Sequence, residues 1–129
     1  MAKHSAFRWP LGPLLRFMGG TPIDRRKAQG TIEAMVEAYR QSDWLWLAIT
    51  PEGTRSHTDH WKSGFYRIVL AADVPCALGC IDWATKTISI DTYVRFSGDT
   101  DADLAMLRDF YAGKHGLRPE KEGDICFRG

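Results

Sequence analysis

The amino-acid sequence predicts an α/β fold in which helices flank a mixed, largely parallel β-sheet. Apolar residues recur at helical spacing in three segments, 26–41, 64–73 and 101–111. Two runs, 44–49 and 74–83, are apolar or small throughout, which is typical of strands covered on both faces. The run at 44–49 leads through a loop into the helical segment 64–73, so the chain contains a β-loop-α unit.

The first forty residues predict a helix, a strand and a second helix. Pro10 lies near the first turn of segment 9–20 and two glycines follow its last turn, which are favoured positions for these residue types at helix ends. Segment 21–23 has room only for a short strand. The second helix, within 26–41, carries one buried stripe formed by Ala28, Ile32, Met35, Val36 and Tyr39.

The central segments predict two neighbouring buried strands joined by a helix. The run at 44–49 is too short for another helix, and 74–83 suits a strand beside it. The helix over 64–73 buries the side chains of Phe65, Ile68, Val69 and Ala72. The sheet therefore has a covered centre.

The C-terminal third predicts an outer strand and a last helix. Residues 87–96 alternate, which places Ile88, Ile90, Thr92, Val94 and Phe96 inward and Ser89, Asp91, Tyr93 and Arg95 outward. The last helix opens with Asp101 and Asp103 at its positive end, and its buried stripe is Leu104, Leu107, Phe110 and Tyr111. The predicted α/β domain covers 1–113, and 114–129 is interpreted as a loosely held C-terminal tail.

Composition describes one ordinary globular domain. The 129 residues are 44% hydrophobic and 26% charged with a net charge of +1, so we expect no nucleic-acid partner. Cys76, Cys80 and Cys126 cannot form a fully paired disulfide framework and match no common zinc spacing. We therefore expect free thiols in a reducing compartment, with no bound metal.

The N-terminal segment is basic and apolar. Six cations, Lys3, Arg8, Arg16, Arg25, Arg26 and Lys27, face only one acid, Asp24, and aromatic and aliphatic residues lie among them. Such a segment either contacts an anionic membrane surface or forms a surface-docked helix with solvated charges. No run reaches the ~20 apolar residues that span a bilayer, and no signal-peptide pattern is present. We expect a cytoplasmic protein, peripheral at the cytoplasmic membrane face.

A polar motif, TPEGTRS at residues 50–56, directly follows the apolar run. Ligands bind beyond the carboxyl ends of strands in open α/β sheets, and helix N-termini attract anions. Gly53 allows a sharp turn, Arg55 can grip a phosphate through two parallel hydrogen bonds, and Glu52 can hold Arg55 or a substrate hydroxyl. The alternative is a polar turn capped by its own hydroxyls. Arg25, which follows the short strand, can share the same phosphate.

The order of these blocks resembles the 1-acylglycerol-3-phosphate (lysophosphatidic acid) acyltransferase family. The family has a glycine-led segment ending in Ile-Asp-Arg, a Pro-Glu-Gly-Thr-Arg-Ser loop, a Lys-x-Gly and a proline-containing apolar strand. Here these blocks are 20–25, 51–56, 62–64 and 74–78, and their order and spacing agree from about residue 3 to residue 83. The resemblance implies a glycerolphosphate acyltransferase-like fold that lacks its first strand.

The resemblance also implies an activity and a set of substrate-binding residues. A fatty acyl group would move from acyl-CoA or acyl carrier protein, without a further cofactor, to the hydroxyl of a lysophospholipid in phospholipid biosynthesis. Arg25 and Arg55 would bind the glycerol phosphate, while Glu52 and Gly53 would shape the acceptor pocket. Pro75 would belong to the adjacent strand. Thr54 and Ser56 complete the substrate-binding set carried over from the motif.

The family's catalytic block, a His followed by an Asp five residues later, is missing. The fifth residue after each histidine breaks the pattern: Trp9 after His4, Lys62 after His57, Phe65 after His60 and Glu120 after His115. His115 with Glu120 is the nearest approximation, but it lies in the predicted tail. His57 and His60, which flank Asp59, are either a metal pair or solvated side chains. No residue of this chain is therefore predicted to be catalytic.

The missing block leaves alternative interpretations open. The family block lies upstream of Ile-Asp-Arg, so this chain is expected to be a truncated family member whose catalytic pair precedes Met1. A second interpretation is a catalytically silent, phosphate-binding remnant that acts as a binding module or as half of a split enzyme. A third is an unrelated phosphate-binding α/β domain.

Overall fold

A computed structural model describes residues 2–3, 22–23, 28–54 and 56–128. The chain divides into two compact units, Met1–Ile49 and Thr50–Gly129. The helix predicted at 9–20 lies outside the described residues. The predicted boundary between a domain at 1–113 and a tail at 114–129 stays a prediction.

The first unit contains two short strands and one helix among its described residues. β1 (Ala2–Lys3) and β2 (Pro22–Ile23) pair in parallel. α1 spans Ala28–Arg40 and buries Met35 and Val36, two members of the predicted stripe. The helical period of the sequence therefore identifies both this helix and its inner face.

The described residues of the second unit form a β-hairpin, two α-helices and one short 3-10 helix. Its elements are α2 (Gly64–Ala72), β3 (Cys76–Asp82), β4 (Thr87–Val94), α3 (Thr100–Tyr111) and a short 3-10 helix (Pro119–Lys121). β3 and β4 are antiparallel, as they must be when a four-residue turn joins them. The α/β class is thus present, but the described residues do not form the predicted largely parallel sheet.

The apolar run at 44–49 is not a buried strand, so that prediction is wrong. Trp44 is 80% exposed and Trp46 is 69% exposed, and the run has no assigned secondary structure. A strand covered on both faces needs ladder partners for its backbone groups as well as apolar side chains. No ladder among the described residues includes this run.

The face assignment of β4 is correct at one end and wrong at the other. Leu78 lies opposite Thr92 but Gly79 lies opposite Ile90, so Asp91 is an extra residue in a β-bulge. A one-residue shift moves all following side chains to the opposite face. Ile88, predicted inward, is therefore 73% exposed, and Ile90, also predicted inward, is 59% exposed.

The core of the second unit lies between the hairpin and α3. Leu78 of β3 and Leu104 and Leu107 of α3 are buried together. Partly buried residues pack around them, and they include Trp61, Phe65, Val94, Phe96, Phe110, Tyr111, Ile125 and Phe127. The predicted inner stripe of the last helix is confirmed.

The C-terminal segment is part of this core, and the prediction of a loosely held tail is wrong. Phe127 forms a parallel β-bridge with Trp61. The backbone N–H of Trp61 donates to the carbonyl oxygen of Cys126 at 3.0 Å. The rings of Phe127 and Tyr66 have centroids 5.3 Å apart. The segment lacks a helical or alternating pattern, but its isolated apolar side chains fill the edge of the core.

Asp103 is the one buried charged side chain among the described residues, and it anchors the start of α3. Its carboxylate accepts hydrogen bonds from the Tyr66 hydroxyl at 2.8 Å, from the Ser97 N–H and hydroxyl at 3.0 Å each, and from the Gly98 N–H at 3.1 Å. Burial opposes ionisation, but these donors outweigh it and hold the pKa of Asp103 below its ordinary value.

Replacing Phe127 with alanine tests the packing of the C-terminal segment. We expect Phe127→Ala to lower the free energy of unfolding by about 2 kcal/mol, less than for a fully buried phenylalanine, because the ring is half-buried. Leu117, an exposed apolar residue of the same segment, provides the matched control. Leu117→Ala should change the free energy of unfolding by less than about 0.5 kcal/mol. Equal urea midpoints for the wild type and both variants would contradict the packing.

The Asp103 network predicts a specific acid sensitivity. Because its folded pKa is depressed, its stabilisation is present above about pH 4, the unfolded value, and disappears as the pH falls through the folded pKa. We expect Asp103→Asn to lose about 3 kcal/mol at neutral pH and to flatten the dependence of stability on pH in that acid window. Asp101→Asn, an exposed acid of the same first turn, should cost only about 0.5 kcal/mol. Denaturant unfolding at several pH values measures the stability of both variants against that of the wild type.

Candidate functional site

The motif loop closes on itself through backbone hydrogen bonds. The N–H of Gly53 donates to the carbonyl oxygen of Thr50 at 3.1 Å, and the N–H of Lys62 donates to that of Pro51 at 2.9 Å. Gly53 has φ of +65°, in the left-handed region that glycine adopts without steric cost. The sharp turn expected from the sequence is therefore present at Gly53.

One hydroxyl of the motif caps the turn. The Thr54 hydroxyl oxygen accepts a hydrogen bond from the Ser56 N–H at 3.1 Å in an exposed part of the loop. This contact belongs to the alternative interpretation of the motif as a self-capped polar turn. Because Ser56 is engaged through its backbone and its side chain is exposed, its hydroxyl stays accessible to solvent.

Glu52 points toward the C-terminal segment. Its Oε1 accepts a hydrogen bond from the Gly123 N–H at 2.9 Å, across 71 residues of sequence. Gly123 approaches the loop so closely that a Cβ there would lie 2.7 Å from the carbonyl oxygen of Thr58. Arg25 and Arg55 lie outside the described residues, so their sharing of a phosphate stays a prediction.

Glu52 also lines an open cleft of about 670 Å³ in the second unit. The same cleft is lined by Arg108 and Tyr111 of α3, and by His115 and Glu122 of the segment after that helix. This volume falls within the range of small-molecule sites. The cleft therefore places a motif residue in the same space as groups that the sequence analysis did not connect with the motif.

Two groups that line the cleft, the Tyr111 hydroxyl and the Cys80 thiol, keep their protons at neutral pH. Burial, together with the nearby thiols of Cys76 and Cys80, raises the pKa of Tyr111 to about 12, and its hydroxyl donates to the carbonyl oxygen of Gly79 at 2.9 Å. Burial also raises the pKa of the Cys80 thiol. Tyr111 is thus a hydrogen-bond donor rather than a base, and Cys80 is a poor nucleophile.

Among the described residues of the second unit, two histidines pair with carboxylates. His60 Nδ1 is 2.6 Å from Asp59 Oδ1, and Arg128 contacts the other oxygen of that carboxylate. The hydrogen bond with His60 and the charge of Arg128 hold the pKa of Asp59 below its ordinary value. His115 Nδ1 is 3.2 Å from Glu122 Oε2.

Sequence reasoning missed the pairing of His115 with Glu122 because it searched for a fixed His-x4-Asp spacing. No cluster of three His, Cys, Asp or Glu residues among the described ranges could hold a metal ion. The adjacency of Asp59 and His60 was the signal that could have indicated their ion pair.

The motif therefore forms a closed polar loop beside an open cleft. Comparison with known families shows which family the chain belongs to. The general family model described as Acyltransferase matches residues 1–79, and the chain belongs to this family. Comparison with curated proteins gave no match, and comparison with solved structures gave none. Family membership assigns the protein to the acyl-transferring class without fixing its substrate or donor.

Within the second unit, the family match covers only the N-terminal part, residues 50–79. Residues 1–79 include α1, the motif loop, α2 and the first half of β3. The cleft residues of α3 and of the C-terminal segment therefore lie beyond the matched region. Among the described helices, none combines the length and the apolar content needed to cross a bilayer.

Gly53→Ala tests the turn of the motif. A Cβ at this position would meet the side chain of Lys62 at 3.2 Å, and the positive φ is strained for alanine. We expect a loss of about 1 kcal/mol in the free energy of unfolding. Gly30→Ala, in α1 with open space around it, should instead gain about 0.5–1 kcal/mol. Thermal or urea unfolding of both variants checks that stability falls in Gly53→Ala and rises in Gly30→Ala. A Gly53→Ala variant as stable as the wild type would contradict the strained turn.

Proposed function

We propose that the protein transfers a fatty acyl group from acyl-CoA or acyl carrier protein to the hydroxyl of 1-acylglycerol-3-phosphate, a step of phospholipid biosynthesis. The observation that carries this proposal is the family match over residues 1–79, which contain both the Ile-Asp-Arg and the Pro-Glu-Gly-Thr-Arg-Ser blocks. A phosphate-bearing acceptor suits these blocks because each of them ends in or contains an arginine.

The chemistry of the motif supports a phosphate-bearing acceptor. Guanidinium groups bind phosphate bidentately, so Arg25 and Arg55 are assigned to the glycerol phosphate. We assign the polar surroundings of that phosphate to the turn at Gly53 and to the hydroxyls of Thr54 and Ser56. Glu52 faces the cleft. A carboxylate within reach of the cleft can accept a hydrogen bond from a hydroxyl of the acceptor.

We further propose that the protein works at a membrane surface, where a lysophospholipid acceptor resides. Trp44 and Trp46 are exposed and two residues apart in the chain. Amphipathic indole rings favour the bilayer interface, and the basic N-terminal segment complements anionic lipid head groups. The proposed location is the cytoplasmic face of the membrane.

A second candidate function is a phosphate-binding module without catalysis, alone or as half of a split enzyme. It is favoured by one observation, that none of the four histidines precedes an aspartate by five residues. Such a module would bind the lysophospholipid with the same arginines but would release no thiol from an acyl thioester.

Titration of lysophosphatidate into the wild type, Arg25→Ala, Arg55→Ala and the double variant tests the proposed acceptor. Each charge-assisted contact is worth about 1.5–3 kcal/mol, so we expect each single variant to bind about 10- to 150-fold more weakly. Arg40→Ala, an exposed arginine of α1, is the control and should bind normally. Monoacylglycerol, which lacks the phosphate, should bind all variants alike.

The outcomes separate the candidates. Unchanged affinity in Arg55→Ala, or a loss equal for monoacylglycerol and lysophosphatidate, would contradict the shared phosphate site. Acceptor-dependent release of thiol from acyl-CoA distinguishes the transferase from the binding module, which would bind the lipid but leave the thioester intact.

A further inference from the structure

We infer that the segment 123–128 holds the motif in the conformation that receives the acceptor phosphate. This segment is named the C-terminal strap, and residues 50–62, which include the motif, are named the motif loop. The inference rests on the proposed function, since it concerns the positioning of the motif that is assigned there to the glycerol phosphate. The strap lies beyond residues 1–79, the region that the family model matches.

The strap is bound to the beginning of the motif loop at Glu52. The Gly123 N–H donates to Glu52 Oε1 at 2.9 Å, and the turn that follows Glu52 is closed by the hydrogen bond from the Gly53 N–H to the carbonyl oxygen of Thr50 at 3.1 Å. A hydrogen bond to an ionised acceptor is stronger than one between neutral groups. Because a carboxylate has a second oxygen, Glu52 can be held by the strap and still accept a hydrogen bond from the acceptor hydroxyl.

The strap is bound to the end of the motif loop through the backbone. The Trp61 N–H donates to the carbonyl oxygen of Cys126 at 3.0 Å, and Trp61 forms a parallel β-bridge with Phe127. The Lys62 N–H donates to the carbonyl oxygen of Pro51 at 2.9 Å, so the beginning and the end of the loop are also bound to each other. The strap therefore contacts a closed loop on both of its sides.

A side-chain contact joins the strap to the same end of the loop. Arg128 donates to one oxygen of the Asp59 carboxylate, and His60 Nδ1 lies 2.6 Å from the other oxygen. The hydrogen bond with His60 and the charge of Arg128 hold the pKa of Asp59 below its ordinary value. The Asp59 carboxylate is therefore ionised at neutral pH and attracts Arg128 there.

Gly123 is the point at which the strap approaches the loop most closely. A Cβ at Gly123 would lie 2.7 Å from the carbonyl oxygen of Thr58 and 3.0 Å from its Cγ2. Gly123 is not among the glycines with a positive φ, so the need for glycine comes from this contact and not from the backbone conformation. Because the nearest atom belongs to the backbone, an added methyl group must move the strap and the loop apart.

The phosphate residues of the motif lie between the held positions. The strap holds the loop at Glu52 and again at Asp59, and in the sequence Thr54, Arg55 and Ser56 lie between these two residues. A phosphate is bound by directional hydrogen bonds, and a displacement of about 1 Å is enough to weaken contacts of this kind strongly. The strap thus acts on acceptor binding through the loop, and Gly123 and Arg128 are positioning residues.

The experiment uses the full chain and two measurements, hydrogen exchange of residues 50–62 without lipid and titration of lysophosphatidate and monoacylglycerol. We expect Gly123→Ala to speed exchange in the loop and to weaken lysophosphatidate binding, each by about tenfold, with monoacylglycerol binding unchanged. Gly116→Ala is the matched control, because its Cβ would meet only the Glu122 side chain at 3.3 Å. It should behave like the wild type in both measurements.

Arg128 supplies a variant that leaves the core intact, because its side chain is 67% exposed. We expect Arg128→Ala to weaken lysophosphatidate binding by up to about fivefold, as for an exposed ion pair, and Arg128→Lys to recover most of this loss. Val94→Ala weakens the same core from β4 without touching the strap, and it should leave the preference for lysophosphatidate over monoacylglycerol unchanged.

Three results would overturn the assignment of the strap. The first is a Gly123→Ala variant whose loop exchanges at the wild-type rate. The second is faster exchange with unchanged affinity for lysophosphatidate. The third is a Val94→Ala variant that loses the preference for lysophosphatidate as fully as Gly123→Ala, which would indicate general packing. A wild-type chain that does not bind lysophosphatidate contradicts the proposed function instead, and the exchange measurement then still decides whether the strap holds the loop.

Discussion

The second unit depends on the contact between the motif loop and the C-terminal segment. The Gly123 N–H reaches Glu52, and the chain passes so close to Thr58 that only a residue without a side chain fits. This approach positions Ile125 and Phe127 at the edge of the core and closes one wall of the cleft. The Glu52–Gly123 hydrogen bond, together with the backbone hydrogen bond from Trp61 to Cys126, therefore connects the motif loop with both the core and the cleft.

The helices were predictable because their information is local. α1, α2 and α3 each show an apolar stripe at a period near 3.6 residues, and Leu104 and Leu107 indeed lie on the inner face of α3. The strands were less predictable because ladder pairing is non-local. Apolar residues at 44–49 indicated burial, yet nothing in the run itself supplies a pairing partner, and two tryptophans remain exposed.

The features of the candidate site were likewise predictable where they are local and unpredictable where they depend on distant residues. The turn at Gly53 followed from residue type, since a glycine between polar residues after an apolar run favours a left-handed position. The partners of Glu52 and His115 could not be predicted from residue type. Gly123 is 71 residues from Glu52 in the chain, and the spacing of His115 and Glu122 matches no known motif. In the sequence, His115 was compared only with Glu120, five residues further along the chain, whereas its partner in the structure is Glu122.

The bulge at Asp91 has a consequence for how this hairpin can change over evolutionary time. Because Asp91 has no opposite residue in β3, its removal shortens β4 without breaking a pair. The loss of this one codon would therefore leave Ile88 and Ile90 on the exposed face and Ser89 on the covered face, because each keeps its present partner in β3. Asp91 is thus the position in β4 at which the ladder tolerates a deletion, whereas the loss of a paired residue would change the face of every residue beyond it.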